Sequence, residues 1–491
     1  MLKRFLPLTC TLILAACSSA PKPDASKAAA THAQTPPPPP ALTDEQRALH
    51  VASFDKVWET VRDQHWDPTL NGVDWNAARD ELRPRVEQAR TADEARAAMS
   101  ELIERLGQSH FGIIPAATYG EIKAAPSKRT DAAKPKANAA QEGDSKSSAA
   151  PAETSSSDAA AEEADDDPPQ NMQGSIGLWL RVVGNTAIVT RVLPDSPAAR
   201  AGIAPGWQVM QIDGRPVAKT IERITETYRD STMLEAMLAM GLMRRVDVQR
   251  GRNVALTLID AGGVERTLTI VSEAPAGVPS TFGNLPTIYV TTDVRRLDGN
   301  IGYIAFSAFL DPTRVMPIIN TAIAEFADAE GIIIDLRGNI GGIGIMASGV
   351  GNHFVTKRNL KLGSMKTREN ELKFILNPRP KPNTKPLAIL VDGVSLSTSE
   401  ILAGGLQDLG RARIFGTRTG GAALPSQIMK LPNGDGFQFA FANYTSTGGR
   451  VLEGVGVIPD EVVVPSGEAL LQGRDPVIDA AARWIHAQKP Q

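Results

Sequence analysis

The sequence predicts an α/β protein whose sheet-and-helix core follows a helical segment and a small β-rich unit. Three observations carry that prediction. From about residue 284, runs that read as buried strands, GYIAFSAFL, GIIIDLRG and PLAILVDG, alternate with helical stretches. Over 173–275 short strands are punctuated by Gly and Pro turns. Over 43–117 apolar residues recur at helical spacing. The 491 residues suggest about three domains, and 42 % hydrophobic with 22 % charged residues is the balance of a folded chain. A net charge of −3 argues against a nucleic-acid partner, which would select a strongly basic surface.

The N-terminus, MLKRFLPLTCTLILAACSSA, has Lys3 and Arg4, a short apolar run and then small residues, the layout of an export signal. It resembles a bacterial lipoprotein signal (1–17), with Leu14-Ala15-Ala16-Cys17 at the lipobox. The resemblance implies cleavage before Cys17, lipidation of Cys17, and a membrane-anchored protein facing the periplasm. Ser18 in the next position implies the outer membrane. An ordinary secretory signal with a chance cysteine is the alternative. Cys10 leaves with the signal, so the mature chain has no thiol for a disulfide, a zinc site or nucleophilic catalysis. Neither a metal nor a cofactor is expected.

Residues 18–42 are Pro- and Ala-rich and read as a tether. In the helical segment 43–117, Phe54, Val57, Trp58 and Val61 share one helix face. A second helix is expected in TADEARAAMSELIERLG, capped by Thr91 with Glu94 three residues on and stopped at Gly107. QSHFGIIP then reads as a short strand led by Ser109 and His110. Residues 118–172 hold almost no large apolar side chain and end in the acidic run EEADDD, the composition of a disordered linker. That linker makes the helical segment and the core separately folded pieces in this reading.

Within 173–275, SIGLWL, SPAARAGI and PGWQVMQIDG occur in that order and resemble a PDZ domain. The resemblance implies a loop at Ile176, Gly177 and Leu178 that grips the terminal carboxylate of a peptide, which adds as a strand to a sheet edge. A generic small β unit is the bland alternative. MLEAMLAMGLMRR (233–245) reads as a Met-rich helix, with core packing favoured over peptide contact. PNGDG, at 432–436, is a hairpin turn, and 471–491 form a C-terminal helix and tail.

The stretch DGVSLSTSE (392–400) puts Ser395, Ser397 and Ser399 between a buried strand and the helix SEILAGGLQDLG. A helix N-terminus has unpaired N–H groups and favours a developing oxyanion. By itself such a serine is more simply a helix cap. Four motifs in register change the balance: GYIAFSAF, IIIDLRGNIGG, SLSTSEILAGGLQDLGRARIFGTRTGG and LEGVGVIPD. Over 284–470 they resemble the tail-specific (C-terminal processing) serine peptidases of family S41 and their tricorn-core relatives. The resemblance implies a ClpP/crotonase-like core, a protein or peptide substrate held through its C-terminal tail, and Ser397 as nucleophile. The processing peptidases take the proton with a lysine, but Ala422 stands at that position and Lys430 lies eight residues on. The tricorn-like branch uses an upstream Ser-His pair and a late glutamate, positions filled here by Ser109, His110 and Glu453. Of the six histidines, His32, His50, His65, His353 and His486 match no motif. By the same resemblance the oxyanion donors are the N–H of Thr398 and that of Gly341 or Gly342. A histidine base implies activity rising through a pKa near 6.5. A peptide-binding lipoprotein without catalysis, and an esterase or small-amide hydrolase on the same triad, are the competing readings.

Overall fold

The computed structural model describes residues 41–116, 119, 173–280 and 287–488. The signal with Cys17, the tether through residue 40 and, Tyr119 aside, the 118–172 segment lie outside the described residues. No described helix is long and apolar enough to cross a membrane.

The helical segment is three helices and a strand. Helix α1 (Asp44–Gln64) starts ahead of its apolar pattern because Thr43 caps it, accepting the Gln46 N–H. Helices α2 (Trp75–Glu87) and α3 (Ala92–Glu104) follow, α3 capped by Thr91 as its sequence implies, and strand β1 is Gly112–Ile114. These helices do not close a core alone. Phe54, Val57, Leu82, Met99 and Phe111 pack with Leu424, Leu431, Phe437 and Phe439, which lie some 300 residues later. The later residues lie in and around the hairpin of β14 (Ser426–Lys430) and β15 (Gly436–Ala440), and β1 pairs with β15, Gly112 opposite Gln438. A buried ion pair locks the seam: Arg96 Nε and Nη2 donate to the two oxygens of Asp435, at 2.9 and 3.0 Å. The segment is therefore one packed unit with that hairpin, a correction to the separately folded pieces inferred from the linker.

The β-rich unit is a six-stranded antiparallel sheet whose main path runs in chain order, β2 (Leu178–Val183), β3 (Thr186–Val192), β4 (Gln208–Ile212), β5 (Asn253–Ile259) and β6 (Glu265–Val271), with the two-residue strand Arg215–Pro216 paired to β4 off that path. Helices α4 (Pro197–Arg200), α5 (Val217–Tyr228) and α6 (Leu234–Met243) cover it. The side chains of Ile176 and Leu178 belong to this unit's core. What their loop offers a ligand is backbone, and the Gly177 N–H already donates to Ser175 Oγ.

The core sheet runs β7 (Thr292–Leu297), β8 (Ile301–Phe306), β9 (Gly331–Asp335), β12 (Leu387–Val391), β13 (Arg413–Gly416) and β17 (Glu461–Val462). All neighbours are parallel except β7 with β8. Between β9 and β12 lies the hairpin β10 (Leu360–Lys366) and β11 (Glu371–Leu376), and β10 also pairs with β16 (Asn443–Ser446). Ile332, Ile334, Ile389 and Val391 face helices α7 (Pro312–Glu325), α8 (Ile345–Gly351) and α9 (Thr398–Asp408). Ile333, Ala388 and Leu390 face helix α10 (Pro476–Ala487) on the other side. Burial on both faces is why these strands read as unbroken apolar runs.

Asp435 is fully enclosed. Asp435→Ala leaves Arg96 only its exposed partner Asp93 and should lower unfolding free energy by about 3 kcal/mol, read from urea denaturation.

Candidate active site

Adjacent parallel strands β9 and β12 end side by side, and their C-terminal loops build the site. After β12, Ser395 and Ser399 are fully buried and committed to structure. Ser395 Oγ donates to the Leu336 carbonyl at 2.7 Å, and Ser399 Oγ reaches Asn339 at 3.0 Å. They brace the loop after β9. Ser397 alone is partly accessible, at φ 54° and ψ −113°, a strained turn that only surrounding contacts can hold.

Glu400 supplies those contacts. Three residues into α9 and 0 % exposed, it accepts the Ser397 N–H at 2.9 Å, the Thr419 hydroxyl at 2.6 Å, and the Gly421 and Ala422 N–H groups at 2.8 and 3.1 Å. Burial raises its pKa to about 7 against these donors, and nearby Glu453 adds to the rise. On protonation the Thr419 bond can reverse, Glu400 donating, which preserves the N–H acceptors. The sequence reading missed this residue. Its signal was present, because S-x-x-E over 397–400 is a capping-box pattern.

Glu453 performs the matching task for the upstream segment. It accepts the Ser109 N–H at 2.7 Å, the Ser109 hydroxyl at 2.9 Å and the Ala423 N–H at 3.0 Å. Burial raises its pKa. Ser109 Oγ also lies 2.6 Å from His110 Nδ1. Ser109 has one proton, and giving it to the carboxylate leaves its oxygen to accept from Nδ1–H. Nε2 then carries the free lone pair. Gln108 Oε1 is held by His65 Nε2 at 2.8 Å, and His65 stacks on Phe111, which fixes this turn from both sides. The other described histidines pair elsewhere: His50 with Asn433, His353 with Asn320, His486 with Glu330.

The two carboxylate assemblies meet at consecutive residues. The Ala422 carbonyl accepts the Ser397 N–H at 3.0 Å, and the next N–H, from Ala423, goes to Glu453. Ser397, Ser109, His110 and Glu453 thus share one locus, although no hydrogen bond joins the Ser397 hydroxyl to His110. Burial lowers the His110 pKa to about 4, while the residue as a whole stays partly exposed. That corrects the value near 6.5 expected for an unperturbed imidazole. Ala422 sits among Met233, Val394 and Leu396, an apolar setting that suits alanine.

The Thr398 and Gly342 N–H groups have no acceptor among the described residues, whereas the Gly341 N–H donates to Asn339 Oδ1 at 2.9 Å. Thr398 Oγ1 donates to the Gly342 carbonyl at 2.8 Å, tying the two segments together. Gly341 is needed for close approach. At φ 85°, a Cβ there would lie 2.7 Å from Ser397 Cβ. Among the described residues no acidic, histidine or cysteine cluster could hold a metal.

Residues 300–463 match peptidase family S41, 50–104 the tricorn protease C1 domain and 167–231 the PDZ domain. A carboxy-terminal-processing protease of Bartonella bacilliformis is 28 % identical over 59 % of this chain and 61 % of its own length. A carboxyl-terminal-processing protease of a Picosynechococcus species is 24 % identical over 88 % of this chain and 86 % of its own. Among solved structures, the photosystem II D1 C-terminal processing protease superposes with a TM-score of 0.52 at 18 % identity, covering 91 % of this chain and 98 % of that one. Mature CPAF gives 0.55 at 12 % identity, covering 90 % and 97 %. These superpositions establish the fold.

Two outcomes follow from the geometry. The folded pKa of Glu400 is above its ordinary value of 4.5, so the folded state binds that proton more tightly. The stability this adds is complete below pH 4.5 and is lost as pH rises to about 7, by up to ~3 kcal/mol. Glu400→Gln should remove that slope in urea denaturation at pH 5 and pH 8. Gly341→Ala should slow labelling of Ser397 by an active-site phosphonate on the order of a hundredfold, with secondary structure retained by circular dichroism.

Proposed function

We propose, from the match of residues 300–463 to peptidase family S41, that the chain is an endopeptidase of the C-terminal-processing type acting on periplasmic proteins or peptides. Cys17 anchors it by lipid to the membrane, the outer membrane by its Ser18, and the PDZ domain takes the substrate's C-terminal tail. Ser397 attacks the peptide carbonyl while His110 Nε2 removes the hydroxyl proton. Glu453, acting through Ser109, steadies the imidazolium. The Thr398 and Gly342 N–H groups receive the oxyanion. The proton passes from His110 to the leaving amine, and water hydrolyses the acyl-enzyme with the same base.

The observation that supports this reading is the Glu453–Ser109–His110 hydrogen-bond chain, joined to the Ser397 turn through the backbone of Ala422 and Ala423. Ala422 offers no competing base. The contact between Ser397 and His110 must close when substrate binds, since catalytic hydrogen bonds commonly tighten only in the complex. A binding protein without catalysis would not need two unpaired N–H groups beside a strained serine.

A fluorophosphonate should label the wild type and not Ser397→Ala, with His110→Ala slowed at least a thousandfold. No labelling of the wild type leaves peptide binding as the function. Because His110 stays unprotonated down to about pH 4, labelling should change less than threefold between pH 7 and 5.5. A base near 6.5 would lose most of its activity there, and a rise only above pH 9 would identify a lysine. Cleavage of simple esters with no dependence on a peptide tail would favour the esterase reading.

A further inference from the structure

Helix α6 belongs to the PDZ domain, yet it packs against the nucleophile turn. Met233, Ala236 and Ala239 are buried with Val394, Leu396 and Ala422, and the partly exposed Met237, Met240 and Ile340 pack onto the same cluster. The approach is close enough to require glycines. A Cβ at Gly393 would lie 2.4 Å from Glu235 Cβ, and one at Gly420 would lie 2.9 Å from Met233 Sδ. Thr232 Oγ1 secures the contact by donating to the Gly420 carbonyl at 2.7 Å.

Three members of this cluster adjoin the reacting atom. Leu396 precedes Ser397 in the chain, and the Ala422 carbonyl accepts the Ser397 N–H. Ile340 precedes Gly341, which abuts Ser397 Cβ. The apolar cluster therefore runs from the residue before the nucleophile to two partly exposed methionines of α6. Its ionisable neighbours are engaged with one another or with the turn: Arg181 with Asp392, and Glu235 with Thr417 and the Gly393 N–H. Among these described neighbours each ionisable group already has a hydrogen-bonding partner.

Resting on the peptidase reading above, we infer that Met237 and Met240, with Ile340 and Leu396, form the subsite for the side chain of the residue whose carbonyl Ser397 attacks, and that this subsite selects aliphatic, unbranched or modestly branched side chains. A charged side chain there would lose its hydration without gaining a partner. Methionine's three rotatable bonds let the wall adapt to several aliphatic shapes. Cleavage preference is then set partly by the PDZ domain's own helix.

The test is a set of fluorogenic peptides with one C-terminal tail, differing only at the residue before the scissile bond, cleaved by the full chain. The wild type should favour Val, Leu or Met over Lys by at least tenfold in kcat/KM. Met237→Glu and Met240→Glu should each raise Lys relative to Leu by about tenfold or more. Met237→Ala, which only removes volume, should shift preference towards Phe and keeps the test available if a carboxylate there prevents folding. A wild type that labels at Ser397 and cleaves peptides, with the same rank order in Met237→Ala and the glutamate variants, overturns this inference and leaves the peptidase reading intact. A wild type that never labels overturns the peptidase reading itself.

Discussion

A desolvated carboxylate has to be surrounded by donors, and Glu453 draws its donors from two parts of the chain that share no local structure. Two come from Ser109, 344 positions upstream, and another from Ala423. Without them the charge would be unsupported in a low-dielectric setting. With them the helical segment, the loop after β13 and the turn before β17 are fixed to one another. Glu400 repeats the device on the other side of residues 419–423, and the Glu453 charge raises the cost of ionising it. The loop between them, Gly421 to Ala423, has no side chain larger than a methyl group, and its work is done by backbone N–H and C=O groups.

The proposed histidine base, in place of a lysine, fits the same packing. Position 422 is enclosed by methionine, valine and leucine side chains, so an ammonium there would have to be deprotonated or displaced. The imidazole instead comes from the bend just before the three-residue strand β1, which the β14–β15 hairpin holds in register. Its low pKa keeps it neutral, and the Ser109 hydroxyl sets the tautomer. The ion pair of Arg96 with Asp435 lies far from the reacting atoms yet bears on where that ring sits.

The strand-turn-helix around Ser397 was legible because its signals are local: a continuous apolar strand, small residues and an amphipathic helix. The α/β core was legible for the same reason. The partnership of Ser109, His110 and Glu453 was not visible in periodicity or composition and came only through ordered motifs. Other features depend on contacts that sequence spacing does not encode. The helices over 43–117 looked independent because a long polar stretch follows them, but their missing wall is a hairpin more than 300 residues away. Which glycine after β9 has a free N–H depends on the Asn339 side chain, which claims Gly341. The Met-rich helix 233–245 reads as core packing, and it is core, but the core it completes lies between two domains. Glu400 was passed over because a capping glutamate is commonplace, and its burial is a tertiary fact.

The order of these parts along the chain has a consequence for synthesis. In the proposed mechanism the base is made first, at residue 110, the nucleophile at 397, and the carboxylate that fixes the base only at 453. A growing polypeptide emerging from the ribosome or a translocon can hold both serine and histidine while lacking the anion that aligns them. On that mechanism, hydrolytic competence waits until residue 453 has been made, and a product ending before it would be released inert.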